Sequence, residues 1–287
     1  MRNLYPYSIP QIFPLKEIVN SKKEPRKSIL NNSFNQINQD YKKYLSMVNK
    51  LELMNSRVKD YESNESLIAL KEALIHCYES STDPLYKLKA EIKKLQPDDY
   101  AAYCQYCGIG IPSTFDHYLP KSIFPEFSVL GINLLPCCTD CNRDKDDKWI
   151  NSSGLREFLN LYYDSINGSN QYLFCRMIIH DNIPVARFYL NIPNDMNQQD
   201  YQVVKNHYNN LGLLNKYSLL SNGEIKKAVR SLNKKYSRNG NFDIIQELKD
   251  QSDSEADIYG VNFWKVSLYQ SMWSSPQMIN LIKSIRL

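Results

Sequence analysis

The amino-acid sequence predicts an α+β fold that is predominantly helical, and three observations support this prediction. Apolar residues recur every three or four positions along much of the chain, which is typical of amphipathic helices. One pair of apolar or alternating segments, separated by a few turn residues, predicts a β-hairpin. Two Cys-x-x-Cys pairs, about thirty residues apart, predict a zinc-binding region between the helical parts of the chain.

Length and composition set broad limits on organisation and location. The chain has 287 residues and a formal net charge of +4. That length is enough for two domains, or for one domain with large additions. Because the net charge is small, a surface that binds nucleic acid must be local. The sequence contains neither a signal-peptide pattern nor an apolar run that could span a membrane, so we expect a cytoplasmic protein without membrane contact.

Residues 1–99 are interpreted as an N-terminal arm followed by a helical region. Residues 1–32 contain four prolines and predict an extended arm. Its basic cluster, which consists of Lys22, Lys23, Arg26 and Lys27, either contacts phosphate groups, docks on a partner or is solvated. Ser33 and Gln36 form a capping-box pattern that predicts the start of the first of about three helices over residues 33–97. Asp83-Pro84 predicts the start of the last one. The apolar sides of these helices are interpreted as internal core, with a partner-binding surface as the alternative.

The cysteine spacing predicts a structural zinc site within residues 100–152. Two pairs of thiolates fill the tetrahedral coordination of Zn²⁺ and leave no open position, so this zinc stabilises the fold and performs no chemistry. The predicted ligands are Cys104, Cys107, Cys138 and Cys141. Cys137 falls outside the Cys-x-x-Cys spacing and is interpreted as a packed thiol. We expect the cysteines that do not bind zinc to be free thiols in a reducing compartment.

Asp116 and His117 lie between the two cysteine pairs and carry groups suited to phosphodiester hydrolysis. That reaction needs a base for the attacking water and a cation for the charge on the leaving oxygen. Histidine ionises near neutral pH, and a carboxylate is a hard ligand that Mg²⁺ or Mn²⁺ prefers. Neighbouring side chains in a strand point to opposite faces. Both residues therefore serve one site only if the strand bends there or the phosphate lies across its end.

This stretch resembles an HNH nuclease of the ββα-metal superfamily. The matching elements are Asp116-His117, Pro120-Lys121, the segment NLLPC from Asn133, and CNRDK at residues 141–145. The resemblance implies that two strands and a helix surround one catalytic divalent cation. It places a strand at IPSTFDHYL and a helix at residues 139–149. It also implies that the zinc joins the turn before the first strand to the start of the helix.

The resemblance assigns roles to individual residues. These are His117 as the general base, Asp116 and Asn142 as ligands of a catalytic Mg²⁺ or Mn²⁺, Asn133 as the residue that holds the loop orienting His117, and Lys121 and Lys145 as phosphate contacts. Many members of the family have histidine at the third motif position, where this chain has Asn142. An amide oxygen is a neutral, hard ligand, which favours Mg²⁺ or Mn²⁺ over softer transition metals.

Residues 153–287 are expected to form a hairpin and several helices. The patterns predict a short helix over residues 155–163, strands over residues 172–179 and 185–192 joined by a slightly long turn, an acidic loop over residues 249–257, and helices over residues 201–213, 223–236, 242–248, 262–273 and from 276 onward. One helix carries Lys226, Lys227, Arg230, Lys234, Lys235 and Arg238. This basic helix either contacts duplex phosphates or is an ordinary solvated surface.

Looser motifs resemble the HNH subunits of bacterial anti-phage systems of the Septu type. They include FPEFSVLGINLLPCC, EFLNLYYDSI and the late pattern G-x-N-x-W-K at residues 260–265. This resemblance implies a DNA endonuclease that acts in a defence complex with an ATPase partner. The chain has no nucleotide-binding G-x-x-x-x-G-K-[ST] loop of its own, which favours control by a second protein. The alternative function is a zinc-stapled module that binds nucleic acid or a partner without catalysis.

Overall fold

The computed structural model describes residues 2–164 and 170–285, and it has the predicted α+β, mostly helical architecture with two small antiparallel sheets. Its contacts divide the chain into two compact units. The first is Asn3–Asp164, and the second contains Arg2 and the described residues 170–285. The finer division into residues 1–99, 100–152 and 153–287 stays a prediction. No helix in the described ranges combines the length and apolarity needed to cross a membrane.

The first unit combines several short helices with one two-stranded sheet. Its helices are α1 (Ile12–Asn20), α2 (Arg26–Asn32), α3 (Phe34–Ser46), α4 (Val58–Tyr61), α5 (Glu65–Glu79), α6 (Asp83–Lys94), α7 (Asp98–Ala102) and α8 (Thr139–Lys145). Single 3-10 turns span Leu51–Leu53, Pro125–Phe127 and Gly131–Asn133. The strands are β1 (Thr114–His117) and β2 (Leu134–Cys137).

Helices α1 and α2 lie where the sequence predicted an extended arm, so that prediction was wrong. Pro14 lies in the first turn of α1, where a missing N–H removes no intrahelical hydrogen bond. Behind it, Leu15, Ile18 and Val19 follow helical spacing and are fully buried. The prolines therefore concealed a short amphipathic helix.

The N-terminal segment packs against its own unit. The Leu4 backbone N–H donates to the carbonyl of Leu161 at 2.8 Å. Lys22, which the sequence placed in an exposed basic cluster, is buried, and its Nζ donates to the carbonyl of His76 at 3.3 Å. Burial lowers the pKa of Lys22. Its ammonium group therefore hydrogen-bonds within the unit and is not accessible to phosphate groups.

The three helices expected over residues 33–97 are present as α3, α5 and α6, with the short α4 in addition. The capping-box prediction at Ser33 was wrong, because this residue joins α2 to α3 with φ −98° and ψ 1°, and its side chain caps nothing. A capping serine needs extended backbone geometry. Asp83-Pro84 begins α6 as predicted.

Helix α3 contributes to the core of the first unit. The ring of Tyr44 packs edge-on against Phe127 at a centroid distance of 5.1 Å. The Tyr44 hydroxyl donates to Oδ1 of Asn133 at 3.2 Å. Both tyrosine and asparagine are fully buried. Helix α3 therefore supports the loop that leads into β2.

Strands β1 and β2 pair antiparallel, with Asp116 opposite Leu135 and His117 opposite Leu134. A backbone hydrogen bond from Tyr118 N–H to the Asn133 carbonyl, at 2.9 Å, extends the pairing by one step. Helix α8 begins two residues after β2, so two strands and a helix follow one another around the cysteine region. The predicted strand and helix positions are found, although both elements are shorter than predicted.

Residues 151–163 form turns instead of the predicted short helix. Arg156 forms an isolated antiparallel bridge with Ile150. Its guanidinium contacts the carboxylate of Asp164 at 2.6 Å, and the same carboxylate accepts from Asn160 N–H at 2.8 Å. The contacts of the Asp164 carboxylate with the Asn160 backbone N–H and with the Arg156 guanidinium compete with helical hydrogen bonds. This competition explains the turn structure.

The second unit contains a hairpin and five helices among its described residues. The strands are β3 (Leu173–His180) and β4 (Ile183–Leu190), and the helices are α9 (Gln198–Asn210), α10 (Leu213–Arg238), α11 (Ile244–Tyr259), α12 (Trp264–Trp273) and α13 (Pro276–Ser284). The hairpin turn is tighter than predicted. Asp181 and Asn182 have φ of 50° and 63°, which is the geometry of a two-residue type I′ turn.

Helices α10 and α12 pack on one face of this hairpin, α10 against β4 and α12 against β3. The acidic loop predicted over residues 249–257 was wrong, because these residues continue α11. Asp243 caps that helix by accepting from Gln246 N–H at 3.0 Å, and Gly260 ends it at φ 85°. Leu248 and Ser252 are buried, while most polar neighbours face solvent. The first half of α11 agrees with the helix predicted over residues 242–248, and only its second half, which has few apolar residues, was mistaken for a loop.

Candidate functional site

Cys104, Cys107, Cys138 and Cys141 form one buried cluster whose sulfur atoms all lie within 4.8 Å of one another. The Sγ atoms of Cys107 and Cys138 are 3.8 Å apart. In a tetrahedron with Zn–S bonds of about 2.3 Å, neighbouring sulfurs lie about 3.8 Å apart. Thiolates are also the soft donors that structural zinc prefers. The spacing and the chemistry of this cluster therefore fit a structural Zn²⁺, as the sequence predicted.

Tight backbone turns bring the four cysteines together. Gly108 N–H donates to the Cys104 carbonyl at 2.7 Å, and Gly108 has φ 62°, a conformation that suits glycine. At Gly110 a Cβ atom would lie only 2.8 Å from Cβ of Cys138. A larger residue at this position would push the two cysteine pairs apart.

Cys137 lies next to this cluster but outside it. It is the last residue of β2 and is fully buried. Burial raises the pKa of its thiol, so the thiol stays protonated at neutral pH. Cys137 is therefore a packed thiol, in agreement with the prediction from spacing.

An open cavity of about 480 Å³ lies beside the zinc-binding cluster, at β1 and α8. Its lining includes four of the six residues to which the HNH resemblance assigned individual roles: Asp116, His117, Lys121 and Asn142. Asn133 and Lys145 are fully buried nearby. The lining also contains residues to which the sequence assigned no role, namely Tyr78, Thr114, Phe115, Pro120, Ser122, Arg143, Asp146 and Asp147.

His117 has one ring nitrogen fixed by the backbone. Its Nε2 lies 2.9 Å from the carbonyl oxygen of Ser128. A carbonyl can only accept, so Nε2 carries the proton and Nδ1 keeps its lone pair. Burial lowers the pKa of His117 to about 3, which leaves the ring neutral at physiological pH. A neutral imidazole with a fixed tautomer at a cavity wall is able to accept a proton from water.

Tyr78 of α5 holds the His117 ring from the side. The two rings meet edge-to-face with a centroid distance of 4.3 Å. The Tyr78 hydroxyl is 3.4 Å from the Phe115 carbonyl, to which it donates. The imidazole plane is thus set by a helix that lies about forty residues earlier in the chain, a partner that local sequence spacing does not reveal.

The Asp116 carboxylate has protein partners on both oxygens. Its Oδ1 lies 3.0 Å from Nζ of Lys145, and its Oδ2 accepts from the Tyr106 hydroxyl at 2.9 Å. The side chain is only 3% exposed. Burial raises the pKa of Asp116, and the charge of Lys145 opposes that shift. The carboxylate therefore borders the cavity while anchored in the interior.

Lys145 does not occupy the position expected of a phosphate contact. Its side chain is fully buried, and its Nζ donates to the His117 carbonyl at 2.7 Å as well as contacting Asp116. The prediction that Lys145 contacts substrate was wrong, because the last turn of α8 faces β1 rather than solvent. In the structure this lysine joins the helix to the strand that carries Asp116 and His117.

Asn133 closes the loop between β1 and β2. Its Oδ1 accepts from Leu119 N–H at 2.8 Å, and its Nδ2 donates to the carbonyls of Leu119 and Phe127 at 3.0 and 3.2 Å. Ser128, whose carbonyl holds His117, directly follows Phe127. The buried Asn133 side chain therefore holds Leu119 and Phe127 in place. Through Phe127 it also supports the neighbouring Ser128, whose carbonyl accepts from His117.

Charged groups of both signs border the cavity. Lys121 is about one-third exposed and pairs with Glu79 at 2.8 Å. Arg143 is exposed and lies 3.1 Å from both Asp140 and Asp144. The exposed Asp146 and Asp147 follow the end of α8. The cavity thus offers basic side chains to phosphate and oxygen ligands to a cation.

The basic residues of α10 lie outside this cavity, in the second unit. All six are exposed, as either a solvated surface or a phosphate-binding surface requires. Lys227 pairs with Glu224 at 3.2 Å, and Lys235 pairs with Glu247 at 2.9 Å. Two of the six charges are therefore partly neutralised within the protein, and the choice between the two interpretations stays open.

Replacing Lys145 with alanine is expected to destabilise the protein by about 3–5 kcal/mol, because it leaves the Asp116 carboxylate buried without its counter-charge. Urea unfolding of the zinc-loaded protein measures this change. Arg143→Ala, on the same helix but exposed, is the control and should change the midpoint little. Equal, small effects of the two substitutions would contradict the buried ion pair.

Comparisons with known proteins give one similarity. The chain is 28% identical over 188 residues to the protein ea31 of Escherichia phage lambda, and the alignment covers 60% of this chain and 62% of that protein. The chain therefore spans less than two thirds of the length of this relative. No protein-family model matches the chain, and no solved structure matches it.

Proposed function

We propose that this protein is a metal-dependent endonuclease of the HNH type that hydrolyses phosphodiester bonds in DNA. One observation carries the proposal: His117, with Nε2 held by the Ser128 carbonyl, shares an open cavity with Asn142 and Asp116 beside a zinc-binding cysteine cluster. A base, hard oxygen ligands and an accessible cavity are the groups that hydrolysis of a phosphodiester requires.

In this proposal His117 is the general base. Its Nδ1 accepts a proton from a water molecule in the cavity, and the Nε2–H hydrogen bond to Ser128 keeps the ring in the correct tautomer. Burial, which lowers the pKa of His117, keeps the imidazole neutral before reaction and also makes it a weaker proton acceptor than a free imidazole. Tyr78 positions the ring, and the fully buried Asn133 helps to position the Ser128 carbonyl.

The residues around the cavity fit a divalent cation such as Mg²⁺ or Mn²⁺. Asn142 and Asp116 would hold it through an amide oxygen and a carboxylate oxygen, which are hard donors. Lys145, Tyr106 and the His117 backbone contact the Asp116 carboxylate, and a carboxylate offers about four acceptor positions, so capacity for a cation remains. When bound, such a cation supplies charge stabilisation to the leaving oxygen.

Substrate binding is assigned to the exposed cations at the cavity. Lys121 and Arg143 both line it, and each has an acidic neighbour that a phosphate group could replace as partner. The zinc would only hold the fold, since four cysteines leave it no open position. The division of roles is therefore a structural zinc beside a separate hydrolytic centre.

A second function has one observation in its favour. The Asp116 carboxylate is almost completely buried and bound to Lys145 and Tyr106, as expected of a purely structural residue. A zinc-stapled module that binds nucleic acid or a partner without cleaving it would keep this arrangement. Incubating the purified protein with plasmid DNA and Mg²⁺ or Mn²⁺ separates the two functions, because only the nuclease converts supercoiled DNA.

Asn142→Ala is expected to raise the Mg²⁺ or Mn²⁺ concentration needed for half-maximal cleavage, because it removes one oxygen ligand. Activity should partly recover at high metal concentration. The measurement is plasmid cleavage as a function of metal concentration, with Asn35→Ala as the control, the same substitution at an exposed position of α3 outside the cavity lining. An unchanged metal dependence in Asn142→Ala would exclude this residue as a ligand.

The expected ATPase partner and the role in anti-phage defence rest on sequence resemblance, and we include them in the proposal on that basis. Cleavage assays with and without an ATPase encoded beside the gene test the partner. Stimulation of cleavage by the ATPase supports control by a second protein. Full activity without any partner would leave the nuclease proposal intact and remove the regulatory one.

A further inference from the structure

The face of the β3–β4 hairpin opposite the one that packs on α10 and α12 carries an unusual set of side chains. At its turn end, Ile183 and Val185 also border a cavity that α10 residues line. The antiparallel register places four cross-strand pairs on this face: Phe174 with Tyr189, Arg176 with Arg187, Ile178 with Val185, and His180 with Ile183. The alternate residues, such as Ala186 and Phe188, are buried on the opposite face. The four pairs contain no acidic residue. We call this surface the hairpin face.

Two arginines lie directly opposite each other at the centre of the hairpin face. Arg176 and Arg187 are both exposed, and neither forms an ion pair with a residue in the described ranges. Like charges in directly opposed positions destabilise a sheet. Repulsion between the two arginines therefore lowers the stability of the folded hairpin, and a bound anion would remove that repulsion. Paired guanidinium groups suit phosphate in particular, because each can donate two parallel hydrogen bonds.

An exposed aromatic pair lies next to the arginines. The rings of Phe174 and Tyr189 stack with a centroid distance of 5.8 Å and an interplanar angle of 25°. Tyr189 is 43% exposed and Phe174 is partly exposed. Residues two positions apart on a strand lie about 7 Å from each other. A base stacked on the aromatic pair would thus have its backbone phosphate within reach of the arginines.

We propose that the hairpin face binds single-stranded nucleic acid. The arginines contact phosphates and the aromatic pair stacks on a base, which is the combination that single-strand-binding surfaces use. Bases in a duplex already stack on each other, so their faces are not available to Tyr189 and Phe174. This inference concerns binding by the second unit and stands independently of the catalysis proposed for the first.

The test is the affinity of the full-length chain for a labelled oligo(dT) strand, measured by fluorescence anisotropy in the His117→Ala background. That substitution removes the proposed base, and no divalent cation is added, so cleavage does not affect the result. Arg176→Gln/Arg187→Gln is expected to weaken binding at least about tenfold. It should also reduce the slope of log affinity against log salt by about 1.4, since each phosphate contact on a single strand contributes about 0.7.

Matched variants separate the effect of direct contact with the nucleic acid from the effect of the net charge of the protein. Lys16→Gln/Lys42→Gln removes the same charge from exposed lysines of the first unit and should leave the affinity nearly unchanged. Tyr189→Leu keeps apolar bulk but removes the aromatic ring, and it should weaken oligo(dT) binding about fivefold or more. Because Tyr189 and both arginines are exposed, these variants should fold. Arg176→Lys/Arg187→Lys, which keeps the charge, provides a second variant if the glutamine variant unfolds, and it should lose affinity through weaker phosphate contacts.

Several results would overturn the proposal. One is the absence of oligo(dT) binding by the parent chain, and another is equal loss of affinity in the arginine and lysine variants. Tighter binding of a duplex of the same length, with no effect of Tyr189→Leu, would exclude base stacking. Equal binding of polyglutamate, also lost in the arginine variant, would assign the face to an acidic protein instead.

Discussion

Replacement of His117 by alanine is expected to lower the rate of DNA cleavage by about two to four orders of magnitude, the usual cost of losing a positioned general base. Higher Mg²⁺ or Mn²⁺ should not restore the rate, because the missing group is a proton acceptor rather than a ligand. Plasmid cleavage measured across metal concentrations checks both statements. This insensitivity to metal distinguishes His117→Ala from Asn142→Ala.

The control for this prediction is His76→Ala, the same substitution on α5 outside the cavity lining. It should cleave at nearly the parent rate. Zinc content and thermal unfolding should show that the His117→Ala protein is folded, since His117 is not one of the four cysteine ligands. Cleavage at the parent rate by folded His117→Ala protein would refute the assigned role.

Cys138→Ser is expected to abolish zinc binding and to unfold the region around β1, β2 and α8. Structural zinc sites contribute about 10–16 kcal/mol of apparent binding free energy in zinc-finger peptides, and loss of one thiolate removes much of it. Metal analysis of the purified protein should give about one zinc per chain for the parent and far less for the variant. The melting temperature should fall in parallel.

Cys137→Ser is a closely matched control, because the two cysteines are neighbours and both are buried. This variant should keep its zinc, since the Cys137 sulfur is not part of the four-sulfur cluster. It should lose only the modest stability that follows from placing a hydroxyl in a buried site. Full zinc content in Cys138→Ser would show that the metal is held in another way.

The zinc-binding cluster could be predicted because its information is local. Each Cys-x-x-Cys pair is a short turn. Cys138 has another cysteine three positions later, at Cys141, whereas Cys137 does not, so the spacing identifies Cys138 as the ligand without knowledge of the fold. Asp116, His117 and Asn142 were singled out through the resemblance to HNH nucleases, and the structure places all three at the wall of one cavity. Their roles there stay predictions.

The supporting contacts could not be predicted, because they come from groups without a sequence signature. The acceptor of His117 is a backbone carbonyl, which every residue possesses. Tyr78 is contributed by a distant helix, and one of many tyrosines gives no signal by itself. Lys145 was assigned to phosphate by resemblance; lysine is seldom fully buried, yet Asp116 provides the counter-charge that permits it here.

Helices were predicted where apolar periodicity is strong and not interrupted by proline. Helices α5 and α6 have clear apolar spacing and were anticipated, whereas prolines concealed α1, and the polar residues 249–257 concealed the second half of α11. In α1 and in the second half of α11 a few buried residues are enough, because packing rather than propensity supplies most helical stability. Proline-containing and polar segments are therefore the places where helices were missed.

The buried contact between Asp116 and Lys145 also restricts how the sequence can diverge. Loss of either charge alone leaves the other uncompensated in the interior, whereas replacing both with apolar residues of similar volume is often tolerated in proteins. Positions 116 and 145 should consequently change together among homologues, as a correlated pair. A lineage that keeps the aspartate is then obliged to keep the lysine, although the lysine is fully buried.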